Sequence, residues 1–353
     1  MGWPSKTLKL LAVQEMGLVA VVLLLGAGLT VFGGSITDLE GRTVNNFLRL
    51  PNVLGILSPM SLFAIMALGV SIVIIAGGID ISVATMFALS ALGTVAVVQH
   101  LPADSSGWTV IPTALAVACT VGTACGLLNG ALVVGLRIHP FVVTLGTMSI
   151  FRGICNVAVP TKTLPDRTLG LKVPDALTFD FMQYQPVRGL LPVPIAIMLI
   201  VVLATWFYLR FTVAGRETYA VGGNEEAARY SGLPVGRIKL RVYGLCGLAA
   251  GIAGFVYAGY YGSASSDTGQ GWELIVIAAA VVGGASLAGG RGTALGALLG
   301  TLVIKLIENG IFIMRYDQQY STIIVGAAII VAVSVDRLAE YMRGRRLAAR
   351  SAQ

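Results

Sequence analysis

Few residues in this 353-residue chain could do chemistry, and most of those that could sit in apolar surroundings. Asp80, Arg152, Glu273, Lys305 and Glu308 lie inside or at the rim of long apolar runs. A charge at the centre of a bilayer costs about 2.5 to 3.5 kcal/mol on insertion scales, so each is a candidate for function. Each also has a quieter use. Asp80 can cap a helix beginning at Ile81, Glu273 can cap its own span, and Lys305 with Glu308, on one helix face, can neutralise each other. Enzymatic chemistry finds no constellation. There is no GxxxxGK(S/T) run to cradle nucleotide phosphates and no HExxH pair, and Gly284-Ala285-Ser286-Leu287-Ala288 departs from a nucleophile elbow at its last position. Cys119, Cys125, Cys155 and Cys246 show no CxxC spacing, and His100 and His139 are the only histidines, so no disulfide framework or metal site is indicated. The expectation is a chain without catalytic residues, metal or bound cofactor, whose energy source, if it pumps, lies on another subunit.

The elements that position these residues are membrane helices. Hydrophobic residues make up 56% of the chain and charged ones 12%, with mean hydropathy +0.83, which is the composition of a polytopic membrane protein. The net charge of +7 is scattered between apolar segments and clusters only at the C-terminus, so it reads as membrane topology and not as nucleic-acid binding. An apolar run from Lys9 to Phe32 is too long for a signal peptide and is expected to be a retained first helix. Further spans are expected near 54–77, 81–99, 109–135, 141–159, 193–210, 240–261, 272–288, 293–313 and 320–336. The fold class is thus all-α, a single transmembrane domain over 1–353 with about ten helices and both termini cytoplasmic. Segments 141–159, which carries Arg152, and 272–288, which ends in glycines, are the two whose crossing is open.

With a cytoplasmic N-terminus, ten crossings place fifteen of the 24 Lys and Arg residues inside. Segment 160–192, with five of the 13 prolines, becomes an exterior, periplasmic loop. Segment 215–239 becomes a cytoplasmic loop. Within that loop lies a short bounded helix: Asn224 is the N-cap, Glu225 and Glu226 follow in the first turn, Arg229 falls near the end, and Gly232 and Pro234 stop it. It is far shorter than the ~12 residues an isolated helix needs in water, so either its own membrane domain or a partner protein must hold it.

Glycine is abundant, 44 residues in all, well above the roughly 7% of average proteins. Gly122, Gly126 and Gly130 form one row at four-residue spacing, Gly292, Gly296 and Gly300 another, and Gly247 with Gly251 a third. Such rows let helices approach closely in lipid, within one subunit, at a dimer seam or along a substrate path. Two pairs, Gly77-Gly78 and Gly283-Gly284, interrupt apolar runs and suggest broken or re-entrant helices.

Four segments carry a resemblance: LGVSIVIIAGGIDISVA at 68–84, HPFVVTLGTMSIFRG at 139–153, the run from Gly215 to Tyr243, and AAAVVGGASLAGGRGTALGALLG at 278–300. Together, and in this order, they resemble the permease subunits of ribose-type sugar ABC importers. The resemblance implies a bacterial inner-membrane protein that works with a cytoplasmic ATPase carrying two fused nucleotide-binding halves. ATP and Mg would be on that ATPase. It also implies a periplasmic solute-binding protein and a second permease copy or sister permease. Carried over to this chain, Gly222, Gly223, Asn224, Glu225, Ala228, Arg229, Ser231 and Gly232 would contact the ATPase. The translocation pathway would run past Gly77, Gly78, Asp80, Ser82, Asn129, Thr144, Thr147 and Ser286, small or polar residues in apolar surroundings. The alternative is a secondary transporter driven by an ion gradient, for which Lys305 and Glu308 are the nearest thing to a relay.

Overall fold

The computed structural model describes residues 5–37, 41–159, 163–165, 171–186 and 191–328, with 330, 331 and 334, and only the backbone over 5–14. The basic C-terminal cluster, the side chains of Lys6 and Lys9 and much of 160–192 lie outside the described residues. The chain is all-α, with helices α1 Ser5–Phe32, α2 Leu50–Ile75, α3 Val83–Val98, α4 Gly107–Leu136 and α5 Pro140–Ala158. After a short α6, Asp175–Leu177, continued by a π-helical turn, come α7 Pro192–Phe211, α8 Val213–Gly223, α9 Glu225–Tyr230, α10 Val235–Tyr261, α11 Trp272–Val282 and α12 Ala294–Ile313.

Seven of these, α1, α2, α4, α5, α7, α10 and α12, are long and apolar enough to cross a membrane. The expected spans at 81–99 and 272–288 come out shorter. At 1.5 Å per residue, α3 reaches ~24 Å and α11 ~16 Å, against ~30 Å of hydrocarbon. For α11 the reason is backbone, not hydropathy: Gly284 adopts φ +93°, a left-handed conformation just past its end, while the apolar composition runs on to Ala288. The last expected span is helical over 319–328 and at 330, 331 and 334, and its remaining residues fall outside the described ones.

Burial sorts the long helices into centre and rim. The apolar stretch of α2 is 94% buried and that of α10 78%, against 6% for α1 and 22% for α7, so α2 and α10 are the axis of the bundle. The rim helices expose Leu23, Leu24, Val157 and Ile200, as a lipid-facing surface requires. Two of the three glycine rows face each other within the chain. A Cβ placed on Gly126 would lie 2.9 Å from the Gly247 Cα, and one on Gly122 2.7 Å from the Gly251 Cα, so α4 and α10 cross backbone to backbone. The third row seats α12 on the end of α11, where a Cβ on Gly300 would lie 2.8 Å from the Gly283 Cα.

Segments expected on the same side meet each other. Strand β3, Thr163–Leu164, pairs antiparallel with β4, Ala264–Ser265, joining the 160–192 segment to the connection after α10. Arg152 donates from Nη1 to the carbonyls of Ser266 (2.8 Å) and Thr268 (2.9 Å) in that same connection. The charge in α5 therefore fastens a loop at the end of its helix, and α5 keeps its length. At the opposite end, the turns after α2 and α11 meet the segment from α8 to α9.

Candidate functional site: the α8–α9 segment and the two glycine breaks beneath it

The polar segment holds more helix than its composition suggests. Thr212 Oγ1 accepts the Gly215 N–H (2.9 Å) and starts α8, which runs to Gly223. Asn224 then turns the chain with an extended backbone, and its Oδ1 accepts the Ala227 N–H (2.9 Å), capping α9 as its sequence predicts. Only six residues long, α9 is fastened by its own domain. The Glu225 carboxylate takes Arg229 at 3.0 Å on one oxygen and Lys239 at 2.7 Å on the other, tying the first turn of α9 to the first turns of α10. Ala228 is buried in a small cluster with Val221, Val235 and Ile238. Gly232 (φ +82°) reverses the chain after Ser231.

This placement divides the eight expected ATPase contacts. Gly223, Asn224, Arg229, Ser231 and Gly232 are exposed and Glu225 is half-exposed, whereas Gly222 and Ala228 are buried. Tyr230 is 83% exposed beside them, so α9 presents an aromatic, charged knob to water.

Gly222 sits where three segments converge. A Cβ there would overlap the Ile75 carbonyl at the end of α2 and lie 2.8 Å from the Gly290 nitrogen. Gly290 N–H itself donates to that Ile75 carbonyl (2.9 Å), and Gly289 packs against the backbone of Gly77 and Gly222. The breaks at Gly77-Gly78 and at 283–292 therefore touch one another, and the tip of α8 lies on both. Tyr219, one turn earlier, donates its hydroxyl to the Gly292 carbonyl (2.6 Å), and burial holds that phenol protonated by pushing its pKa up. Glu217 pairs with Arg241 at 3.0 Å, fixing α8 to α10.

Directly beyond Gly78 lies a buried polar cluster. Asp80 is fully covered, and its Oδ1 accepts from the Ser82 N–H (2.9 Å) and the Ser82 hydroxyl (2.6 Å). It does not cap a helix at Ile81 itself; α3 begins at Val83, and Asp80 shapes the turn before it. Asn129 of α4 donates from Nδ2 to Asp80 Oδ2 (3.2 Å) and Ser82 Oγ (2.7 Å). Thr144 Oγ1 of α5 accepts the Ile81 N–H (3.3 Å), and the Tyr243 hydroxyl of α10 donates to the Ile79 carbonyl (3.2 Å). The break between α2 and α3 is thus held from α4, α5 and α10 at once. Thr147 is buried too, but its hydroxyl turns back to Thr144 O in its own helix (3.3 Å). Ser286 belongs to the second break, where its N–H donates to the Arg291 carbonyl (3.1 Å) and its hydroxyl accepts from Arg291 (3.1 Å).

Sequence reasoning named most members of these two groups but missed Tyr219, Tyr243 and Lys239. Their signal was slight: each has a polar tip on a long side chain within a helix, and only the fold shows what that tip reaches.

The end of α8, with the capped α9 after it, thus sits on both glycine breaks. The family model for the branched-chain amino acid transport system / permease component matches residues 52–333. The chain belongs to that permease family. Its relatives include the ribose import permease protein RbsC of Escherichia coli, 39% identical over 292 residues that make up 82% of this chain and 87% of that protein. The D-allose transport system permease protein AlsC of the same species is 34% identical over 293 residues, 83% of this chain and 85% of its own. The autoinducer 2 import system permease protein LsrD of Photorhabdus temperata is 36% identical over 273 residues, 76% and 78% respectively. No solved structure matches. The matched span therefore runs from the third residue of α2 through α12, including both breaks and the α8–α9 segment.

Proposed function

We propose that this chain is the membrane-spanning subunit of an ATP-driven importer in a bacterial inner membrane, translocating a sugar or sugar-like small molecule delivered by a periplasmic solute-binding protein. The single observation that carries the reading is the seating of α9. An exposed, charged knob is joined through Gly222 to the backbone of both glycine breaks, so force applied from water reaches the membrane domain without a flexible link. Closure of an ATPase around nucleotide would move α8 and α9 as one body and reorient α2, α3, α11 and α12. ATP and Mg belong to that ATPase, which we take to carry two fused nucleotide-binding halves. The relatives named for ribose, D-allose and autoinducer 2 support a sugar-like substrate.

The exposed residues of the knob, Gly223, Asn224, Glu225, Arg229, Ser231 and Gly232, would touch the ATPase, and Gly222 and Ala228 would hold the knob in place. The pathway is assigned to the break and its surroundings: Gly77, Gly78, Asp80, Ser82, Asn129, Thr144, Thr147 and Ser286. In this conformation Gly77 is exposed and Gly78 half-buried while the polar six are covered, so the substrate would meet them only when the break opens. A second permease, the same chain or a sister, would complete the path, and a periplasmic face built on 160–192 and the connection after α10 would receive the binding protein.

Two measurements test this. The detergent-solubilised chain should retain the ATPase subunit of its system, and a folded Glu225→Ala/Arg229→Ala variant should lose it. Reconstituted alone, the chain should move no sugar under any imposed ion gradient; net transport by the chain alone would establish the gradient-driven reading instead.

A further inference from the structure

Beside α9 lies a cleft of about 760 Å³ that shares Glu225 and Arg229 with the proposed ATPase contact and extends from there to the turn between α4 and α5. One wall is the turn between α4 and α5, with Arg137 and His139; the other is α9 and the start of α10, with Glu225, Arg229 and Lys239. Its floor includes Val133 and Val235. The charges do not balance. Three permanent cations line the cleft against one carboxylate, and that carboxylate already serves Arg229 and Lys239 at 3.0 and 2.7 Å. Arg137 is exposed and has no hydrogen-bond or ion-pair partner among the described residues. Its backbone is left-handed, φ 55° and ψ 30°, at the position that ends α4. Glycine or asparagine fits such a helix end more easily.

We propose that this cleft is a second docking point for the ATPase, and that Arg137 receives an acidic side chain of the ATPase there while the knob of α9 engages beside it. This rests on the ATPase reading above and extends it from one helix to a two-walled socket. A socket lined from both the α4–α5 turn and α9 would also explain how a six-residue helix transmits force without rolling, because the partner would be gripped on two sides. The Glu225 carboxylate fixes the position of Arg229 and Lys239, so the excess positive charge is concentrated toward the unpaired Arg137.

The test is capture of the ATPase subunit by the full-length permease in detergent, with wild type, Arg137→Gly and Arg137→Glu compared at low and high salt. Arg137→Gly suits the left-handed backbone and removes the whole side chain with its charge; monodisperse elution verifies that each variant is folded. The expected result is retention several-fold weaker for Arg137→Gly and about tenfold or more weaker for Arg137→Glu, with a reduced salt dependence for Arg137→Gly. A photo-crosslinker placed at 137 should label the ATPase. If wild type retains the ATPase and both variants retain it equally, or if the crosslinker labels phospholipid alone, the second docking point is overturned while the α9 reading stands. If wild type itself retains no ATPase, both fall together.

Discussion

Gly222, near the end of α8, lies against the carbonyl of Ile75, the last residue of α2, so closely that no side chain fits between them. The Ile75 carbonyl is meanwhile occupied by the Gly290 N–H of the other break at 2.9 Å. One carbonyl therefore joins a water-side helix, a central membrane helix and a loop of the C-terminal half. Substitution should show whether the contact transmits motion. Gly222→Val is expected to keep the ATPase bound, since the outer face of α9 is unchanged, yet to abolish nucleotide-dependent transport. Overpacking of this kind costs about 1 to 3 kcal/mol, which should appear as a lower melting temperature in detergent. Normal transport by Gly222→Val would remove the contact from the mechanism.

Glu225 pairs with Arg229 inside α9 and ties that helix to α10 through Lys239. It is half-exposed, so each pair contributes at most about 1 kcal/mol. The expected effect of Glu225→Ala is local: faster amide exchange over 224–233 with the global melting temperature nearly unchanged. Lys239→Met, which removes the shorter of the two pairs, should give most of the same change, and Arg229→Ala little of it.

Asp80 and Asn129 meet in full burial, and Asn129 has only its Nδ2 to offer the carboxylate. Hydrogen bonds to charged groups contribute about 1.5 to 3 kcal/mol, so Asn129→Ala should destabilise by that order. Asn129→Asp sets a second carboxylate against Asp80 without a counter-cation and should be the worse of the two. The check is the ordering of melting temperatures, wild type above Asn129→Ala above Asn129→Asp. An Asn129→Asp variant as stable as wild type would mean that the two side chains do not share this site.

Lys305 is nearly buried in α12, paired with Glu308 at 2.7 Å and set 3.3 Å from the centre of the Phe63 ring. Removing one partner of a buried pair typically costs about 3 to 5 kcal/mol, whereas replacing both by apolar residues is often neutral. Lys305→Met alone should therefore impair folding, and Lys305→Met with Glu308→Leu should recover it. ATP-driven uptake by that double variant, measured in vesicles, would show that the pair is structural; loss of uptake with intact folding would make it a working relay.

The sequence by itself determined the class, the family and the local chemistry of the knob. An apolar excess with isolated charges dictates membrane helices, and Asn224 to Pro234 dictates where a short helix starts and stops, because capping depends on the nearest few residues, while its persistence rests on Lys239 and the cluster around Ala228. It also marked the glycine rows and pairs, though not which of them would meet. The tertiary structure decided that rows on α4 and α10 interlock, that α11 stops at Val282, and that the two breaks touch under Gly222. Hydropathy sums composition over about 20 residues and does not register a single left-handed glycine. Contacts such as Ile75 with Gly290 join residues far apart in the chain through backbone atoms that every residue possesses, so no side-chain pattern could have announced them.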